Sequence, residues 1–329
     1  MGLGLIRCLF CFHMENGGIF MSWRVIEVTE RDFHLLKEYN QPIQSNYYWS
    51  INEEKSVKLN PNEGVEVLFD YGKRLNAIYD PELGIRKLND YNPQFSTSKN
   101  RDLALLNDLL SNPNVNTVII DGFFGTGKTA NVMAHVVDYL KTTENPEVYL
   151  SKPHIPVGKS YGHLPGDLAD KIHYEFRSYY QYIDRFWEKG MADRLIRLDE
   201  LPSGSMAKKE LGNITLEALP FEYLRGLDLE NGWVILDETQ NTDIQEVASF
   251  ISRLNDSVKG IVIGDMTSAQ IDRKSVRNPI YNGFEFLKRT YGDKPYSGFV
   301  QLNTRNHILR GNRVRDLYDA ISSLKDNQI

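Results

Sequence analysis

Val118-Ile119-Ile120-Asp121-Gly122-Phe123-Phe124-Gly125-Thr126-Gly127-Lys128-Thr129 decides the fold class of this chain. It reads as an apolar strand, then G-x-x-x-x-G-K-[ST], then the start of a helix, which is the order a phosphate-binding loop requires. Gly122, Gly125 and Gly127 let backbone N–H groups approach an anion without Cβ clashes, and Thr126 lies between the last two. The following helix turns its positive end toward the same phosphates. Lys128 can reach the terminal phosphates and Thr129 can offer a hydroxyl to Mg2+. The competing reading is an ordinary glycine-rich turn between strand and helix.

Downstream of this loop, strands are expected at 115–121, 147–151, 232–237, 260–264 and 298–302. Helices are expected at 127–141, 244–255, 282–291 and 311–325. Continuous apolar strands alternating with amphipathic helices predict an α/β fold, with a parallel sheet covered on both faces. The stretch 153–231 interrupts the alternation and reads as an insertion beside the active edge. Its aromatic run, from Tyr174 to Trp187, fits helix packing or a subunit interface better than base stacking. Upstream, 21–95 reads as a small α+β module with hairpins: a strand near Arg24–Val28, a helical patch, then alternation on both sides of Asp70-Tyr71-Gly72. Pro93 and the polar Ser96–Asn100 mark a linker, and a helix carrying Leu103, Leu106 and Leu110 follows.

Two further strand ends carry carboxylates. Trp233-Val234-Ile235-Leu236-Asp237-Glu238 places Asp237 to hold Mg2+ and Glu238 to orient an attacking water. Ile261-Val262-Ile263-Gly264-Asp265, followed by Gln270, offers polar groups that could sense a γ-phosphate. Taken singly, each is equally a buried strand with a solvated or capping acid at its end. Segment 286–315 has a local charge of +6. Arg310, Arg313 and Arg315 there read as a solvated basic face, and Arg305, just past a strand end, as the arginine nearest the site.

Composition narrows the classes. Of 329 residues, 41% are hydrophobic and 25% charged, ordinary for a globular protein, and no run approaches the ~18 apolar residues of a membrane span. The net charge of −6 excludes a whole-surface nucleic-acid binder, so any polynucleotide contact is local. The only cysteines, Cys8 and Cys11, lack a second pair to complete a metal site. Gly17-Gly18 encoded as GGA-GGA would form a ribosome-binding sequence, with Ile19-Phe20 as spacer before Met21. Residues 1–20 are therefore expected to be translated leader, and the natural chain a cysteine-free cytoplasmic protein.

These segments resemble, in order, the PhoH-like ATPase family over roughly 95–325. Gly122–Thr129 is its phosphate loop. Ser151-Lys152-Pro153 through Gly162-His163-Leu164-Pro165-Gly166-Asp167 is similar to its R-P…L-P-G-D element. Asp237-Glu238-Thr239-Gln240-Asn241 is close to D-E-A-Q-N, Gly264-Asp265 through Gln270-Ile271-Asp272 to G-D-x-x-Q-I-D, and Asn282-Gly283-Phe284 to N-G-L. The resemblance implies a RecA-like P-loop NTPase sheet, related to superfamily 1 helicases, over 96–329. It further implies ATP and Mg2+ as ligands, hydrolysis, a ring-shaped homo-oligomer such as a hexamer, and action on RNA or single-stranded DNA, with no membrane role. Lys128, Glu238, Gln270 and Arg305 become the candidate catalytic residues. Gly122, Gly125, Thr126, Gly127, Lys128, Thr129 and Asp265 are expected to bind nucleotide, and Thr129 and Asp237 the metal. With one nucleotide core per chain, a neighbouring copy would complete the site through Arg225, Arg253 or Arg305. The chain departs from the family in Phe123 and Phe124, in a longer loop between Asp265 and Gln270, and in having no glutamine between Phe95 and Thr117 to read adenine, which leaves ATP against GTP open. The alternative function is a nucleotide-binding switch or assembly protein with little turnover.

Overall fold

The computed structural model describes residues 23–89, 93, 100–153, 168–196, 211–226, 228–266 and 270–326. The expected leader with Cys8 and Cys11, most of the expected linker, and the L-P-G-D element lie outside the described residues.

The larger sheet is built from β7 (Thr117–Gly122), β8 (Glu147–Lys152), β9 (Thr215–Pro220), β10 (Trp233–Leu236), β11 (Lys259–Gly264) and β12 (Ser297–Leu302). Its strand order is β12-β7-β11-β10-β8-β9, and every neighbouring pair is parallel. Ile119, Ile120, Ile235, Ile261, Ile263 and Val300 are at most barely exposed, as expected of strands covered on both faces. Parallel strands put all their C-terminal ends on one edge, so the loop after β7, the acids after β10 and the acid after β11 meet there.

Helices α2 (Arg101–Ser111), α3 (Lys128–Thr142), α6 (Ile244–Ile251), α7 (Gly283–Tyr291) and α8 (Asn312–Asp326) follow the sequence periodicity. Asn100 caps α2 by accepting from the Asp102 N–H at 2.9 Å. A reciprocal Asp243–Glu246 capping box starts α6. That helix ends at Ile251 rather than 255, because Leu229 and Asn255 bond through their backbones (Asn255 N–H to Leu229 O, 3.1 Å) and draw the chain out of helical register.

The stretch 153–231 needs correction as a mere insertion. Its described parts hold α4 (Leu168–Phe186), α5 (Met191–Ile196) and β9, which extends the main sheet. The six-residue β9 is short and carries Glu217 and Pro220, so it lacks the apolar run that announces a buried strand. Phe176, Tyr179, Tyr180 and Phe186 of α4 are buried in the main core beside α3, as the packing reading of the aromatic run anticipated.

The smaller sheet contains β1 (Trp23–Glu27), β2 (Tyr48–Ser50), β3 (Lys55–Val57), β4 (Gly64–Phe69), β5 (Lys73–Asp80) and β6 (Gly84–Lys87), in the order β3-β2-β1-β4-β5-β6. Helix α1 (Glu30–Tyr39) covers one face, with Phe33 and Leu36 in a core of its own with Ile26, Val65 and Val67. This sheet is fastened to the larger one by buried polar contacts. The Arg86 guanidinium grips Asp108 of α2 with two bonds of 2.8 Å, the Trp23 indole N–H donates to Asp102 at 2.8 Å, and the Asn62 amide donates to the carbonyls of Pro295 and Ser297 at 2.9 Å each.

On α3 itself, His135 is buried and meets Asn107 Oδ1 of α2 at 3.0 Å. Burial, then the Lys259 charge, lowers its pKa to about 3. The unfolded chain therefore takes up a proton below pH 6.5 that the folded chain refuses until about pH 3, so stability falls as pH drops through that window. His135→Gln keeps a partner for Asn107 without titrating. Urea melts of this variant are expected to lose up to about 1.4 kcal/mol per pH unit of that slope.

Candidate functional site

The expected cradle forms between β7 and α3. Gly125 (φ 77°) and Gly127 (φ 86°) adopt the left-handed conformation that glycine tolerates best. A Cβ on Gly127 would lie 2.9 Å from Leu309 Cδ1, so a side chain there would have to displace that methyl as well as hold a left-handed backbone. Gly122 and Thr126 brace the loop rather than line the cleft. Gly122 lies against Leu302 and the Lys128 stem, and the buried Thr126 hydroxyl donates to the Phe123 carbonyl at 2.7 Å. The Lys128 ammonium donates to the carbonyls of Gly122 and Phe123, the latter at 2.9 Å. Phe123 is buried against Tyr318 of α8 (ring centroids 4.8 Å apart), while Phe124 lines the cleft. The two aromatic departures thus attach the loop to the C-terminal helix and leave the glycines free.

The cleft has a volume of about 520 Å³ and brings together Gly125, Gly127, Lys128, Thr129, Asp237, Glu238, Asp265 and Gln270. Thr129 Oγ1 donates to Asp237 Oδ2 at 3.0 Å, joining loop and strand end across 108 residues of sequence. The other Asp237 oxygen accepts the Glu238 N–H at 2.8 Å. Glu238 itself sits at φ 56°, a conformation that costs a non-glycine residue about 1 kcal/mol or more and turns its side chain away from the strand direction. Burial, then the adjacent Asp237 charge, pushes the Glu238 carboxyl above its ordinary range.

Sequence reasoning missed two functional side chains. Tyr179, on α4, is fully enclosed and donates its hydroxyl to Asp237 Oδ2 at 2.7 Å. Burial and the Asp237 charge hold its phenol well above the usual range, so it remains a donor. Nothing in an aromatic-rich stretch distinguishes this tyrosine from its neighbours. Gln240 is the second. It is fully buried, its amide N–H donates to Glu238 Oε2 at 2.6 Å and to the Gln270 carbonyl at 3.2 Å, and its Oε1 accepts the Asp265 N–H at 3.0 Å. One amide therefore links the two acids to the segment entering Gln270. Its place in Asp237–Asn241 was the available signal.

The arginines redistribute. Arg305 is exposed, pairs with Asp319 of α8 at 2.9 Å and is not part of the cleft wall, which corrects its assignment as the arginine nearest the site. The turn Arg305–His307 carries it outward, and Arg310 reaches the cleft instead. Arg185 of α4 also lines it. Arg253 is exposed and does not line the cleft, and Arg225 falls in the turn Phe221–Gly226, its side chain outside the described residues. No metal-holding cluster of three or more His, Cys, Asp or Glu occurs among the described residues, so any metal here would rest on Thr129, Asp237 and the ligand itself. No described helix is long and apolar enough to cross a membrane.

Comparison with known proteins finds that a family model described as PhoH-like protein matches residues 98–322. A PhoH-like protein of Mycobacterium tuberculosis strain H37Rv is 32% identical over 158 residues, covering 48% of this chain and 40% of that protein. Protein PhoH of Escherichia coli K12 is 30% identical over 173 residues, covering 53% and 45%. Protein PhoH2 of Bacillus subtilis is 25% identical over 297 residues, covering 86% and 63%. The chain thus spans less than two thirds of the length of each of these relatives.

Proposed function

This chain belongs to the PhoH-like family of P-loop nucleotide-binding proteins, and from that premise we propose that it is a Mg2+-dependent ATPase, working as a homo-oligomer on single-stranded RNA or DNA. The observation that carries the reading is the 3.0 Å contact between Thr129 and Asp237, a loop hydroxyl and a strand-end carboxylate converging beside Lys128. A glycine cradle that a side chain would fill, an ammonium and this hydroxyl–carboxylate pair fit a nucleotide triphosphate with its metal. When bound, Mg2+ neutralises charge on the phosphates. Thr129 and Asp237 would hold it, and Lys128 would bind the outer phosphates. Glu238 would orient the attacking water, and its raised pKa suits a group that draws on a water proton. Gln240 would hold Glu238 in register with Asp265 and Gln270, the groups placed to sense the γ-phosphate. A neighbouring copy would contribute Arg225, Arg253 or the outward-facing Arg305.

The test is phosphate release from Mg-ATP by the full chain, alone and with oligo(U) or oligo(dT), at low and high salt. Turnover that either polymer stimulates, with the stimulation lost at high salt, is expected. Absence of Mg-dependent release overturns the ATPase reading, and an identical rate with and without both polymers overturns the polynucleotide part.

Tyr179→Phe removes one donor from Asp237 while keeping the ring in the core. The Mg2+ concentration for half-maximal turnover is expected to rise about 5-fold, with an unchanged circular dichroism spectrum. An unaltered Mg2+ titration would show that the hydroxyl only fills space.

A further inference from the structure

Arg310 reaches the cleft because the chain leaving β12 is stapled onto the phosphate loop. The Leu309 N–H donates to the Gly125 carbonyl at 2.9 Å. A methyl group on Gly125 would lie 3.5 Å from both Cβ and Cδ of Arg310, so the Arg310 stem runs across the loop tip. Arg310 is exposed and lines the same cleft as Lys128, and no carboxylate forms an ion pair with it among the described residues. A further cation beside the glycine cradle, not ion-paired to a protein carboxylate among the described residues, matches a ligand carrying several negative charges.

The staple is anchored from the smaller sheet. His307, buried two residues before Leu309, accepts the Thr304 N–H on Nδ1 at 3.1 Å. That leaves Nε2 to carry the proton, which it donates to Asp102 Oδ2 at 2.9 Å. The other Asp102 oxygen takes the indole N–H of Trp23, the first residue of β1, at 2.8 Å. One buried carboxylate therefore ties the smaller sheet, 79 residues away on one side, to the turn 205 residues away on the other.

We propose that Arg310 contacts the triphosphate of the nucleotide bound in its own subunit, and that Trp23, through Asp102 and His307, positions it there, making the smaller sheet part of the nucleotide site. The proposal rests on the reading of the cleft as a nucleotide site. Arg310 is then a binding residue, and Trp23, Asp102 and His307 are positioning residues.

The experiment titrates the full-length chain with N-methylanthraniloyl ATP and ADP in Mg2+, following fluorescence, for wild type, Lys128→Ala, Arg310→Ala, Arg310→Lys, Trp23→Phe and the Trp23→Phe/Arg310→Ala pair. Arg310→Ala is expected to raise the Kd of the triphosphate probe about 10–100-fold, with part of the loss recovered by Arg310→Lys. Trp23→Phe, which removes the indole N–H and keeps an aromatic ring, is expected to raise it about 3–10-fold in the wild-type background and not at all in Arg310→Ala. That non-additivity is the mark of one residue acting through another. Equal effects in both backgrounds would overturn the positioning link. If Trp23→Phe does not fold, Asp102→Asn enters the same cycle. Lys128→Ala separates the two levels: if it loses the probe while Arg310→Ala binds normally, the role of Arg310 is wrong and the cleft stands. If Lys128→Ala also binds normally, the cleft is not the nucleotide site and both fall.

Discussion

Glu238→Gln is expected to bind nucleotide as the parent chain does and to release phosphate at least about 100-fold more slowly. The exchange is nearly isosteric. A glutamine can still accept from the Gln240 amide that now donates to Glu238 at 2.6 Å, and Asp237, Thr129 and Lys128 keep their places. What disappears is the carboxylate that can polarise water. Single-turnover phosphate release, measured beside nucleotide affinity, checks it. The same measurement separates an ATPase from a nucleotide-binding switch with little turnover: in a switch, Glu238→Gln leaves both quantities where they were.

Lys128→Ala is expected to weaken nucleotide binding by about 100-fold or more and to abolish turnover, with thermal unfolding close to that of the parent. Charge-assisted hydrogen bonds to phosphate contribute about 1.5–3 kcal/mol each, and one ammonium can make more than one. The fold should tolerate the change. Lys128 opens α3, alanine is a good helix former, and the Phe123 carbonyl that the ammonium now engages keeps the Thr126 hydroxyl as a donor. Calorimetric titration with ATP in Mg2+ checks the affinity, and a melting curve the fold. Undiminished binding would remove the loop from the account altogether.

Both predictions concern residues that stand in local sequence patterns. Lys128 and Thr129 follow a strand and open a helix, and Asp237–Glu238 end an apolar strand. Each pattern states its own geometry because strand, loop and helix are near-neighbour events along the chain. The side chains that adjust those residues lacked such a pattern. Tyr179 lies among seven aromatics in its helix neighbourhood, each equally fit for a core. Arg305 and Arg310 are five positions apart, and which one faces the cleft depends on a turn whose direction is set by His307 bonding to Asp102. Strand β9 was hidden because an edge strand needs little apolar sequence when its neighbour β8 supplies the register.

The sequence by itself therefore determined the α/β class, the parallel sheet, the phosphate loop and the two acids facing it, since periodicity and spacing are written in contiguous residues. Only the tertiary structure decided that Tyr179 braces Asp237, that Gln240 joins Glu238 to Asp265, that Arg310 takes the place expected of Arg305, and that Trp23 is tied to the turn beside the loop. Those contacts join residues as far as 205 positions apart. They exist because packed strands and helices hold distant polar groups within hydrogen-bonding reach where water is excluded, a condition no short stretch of chain can express.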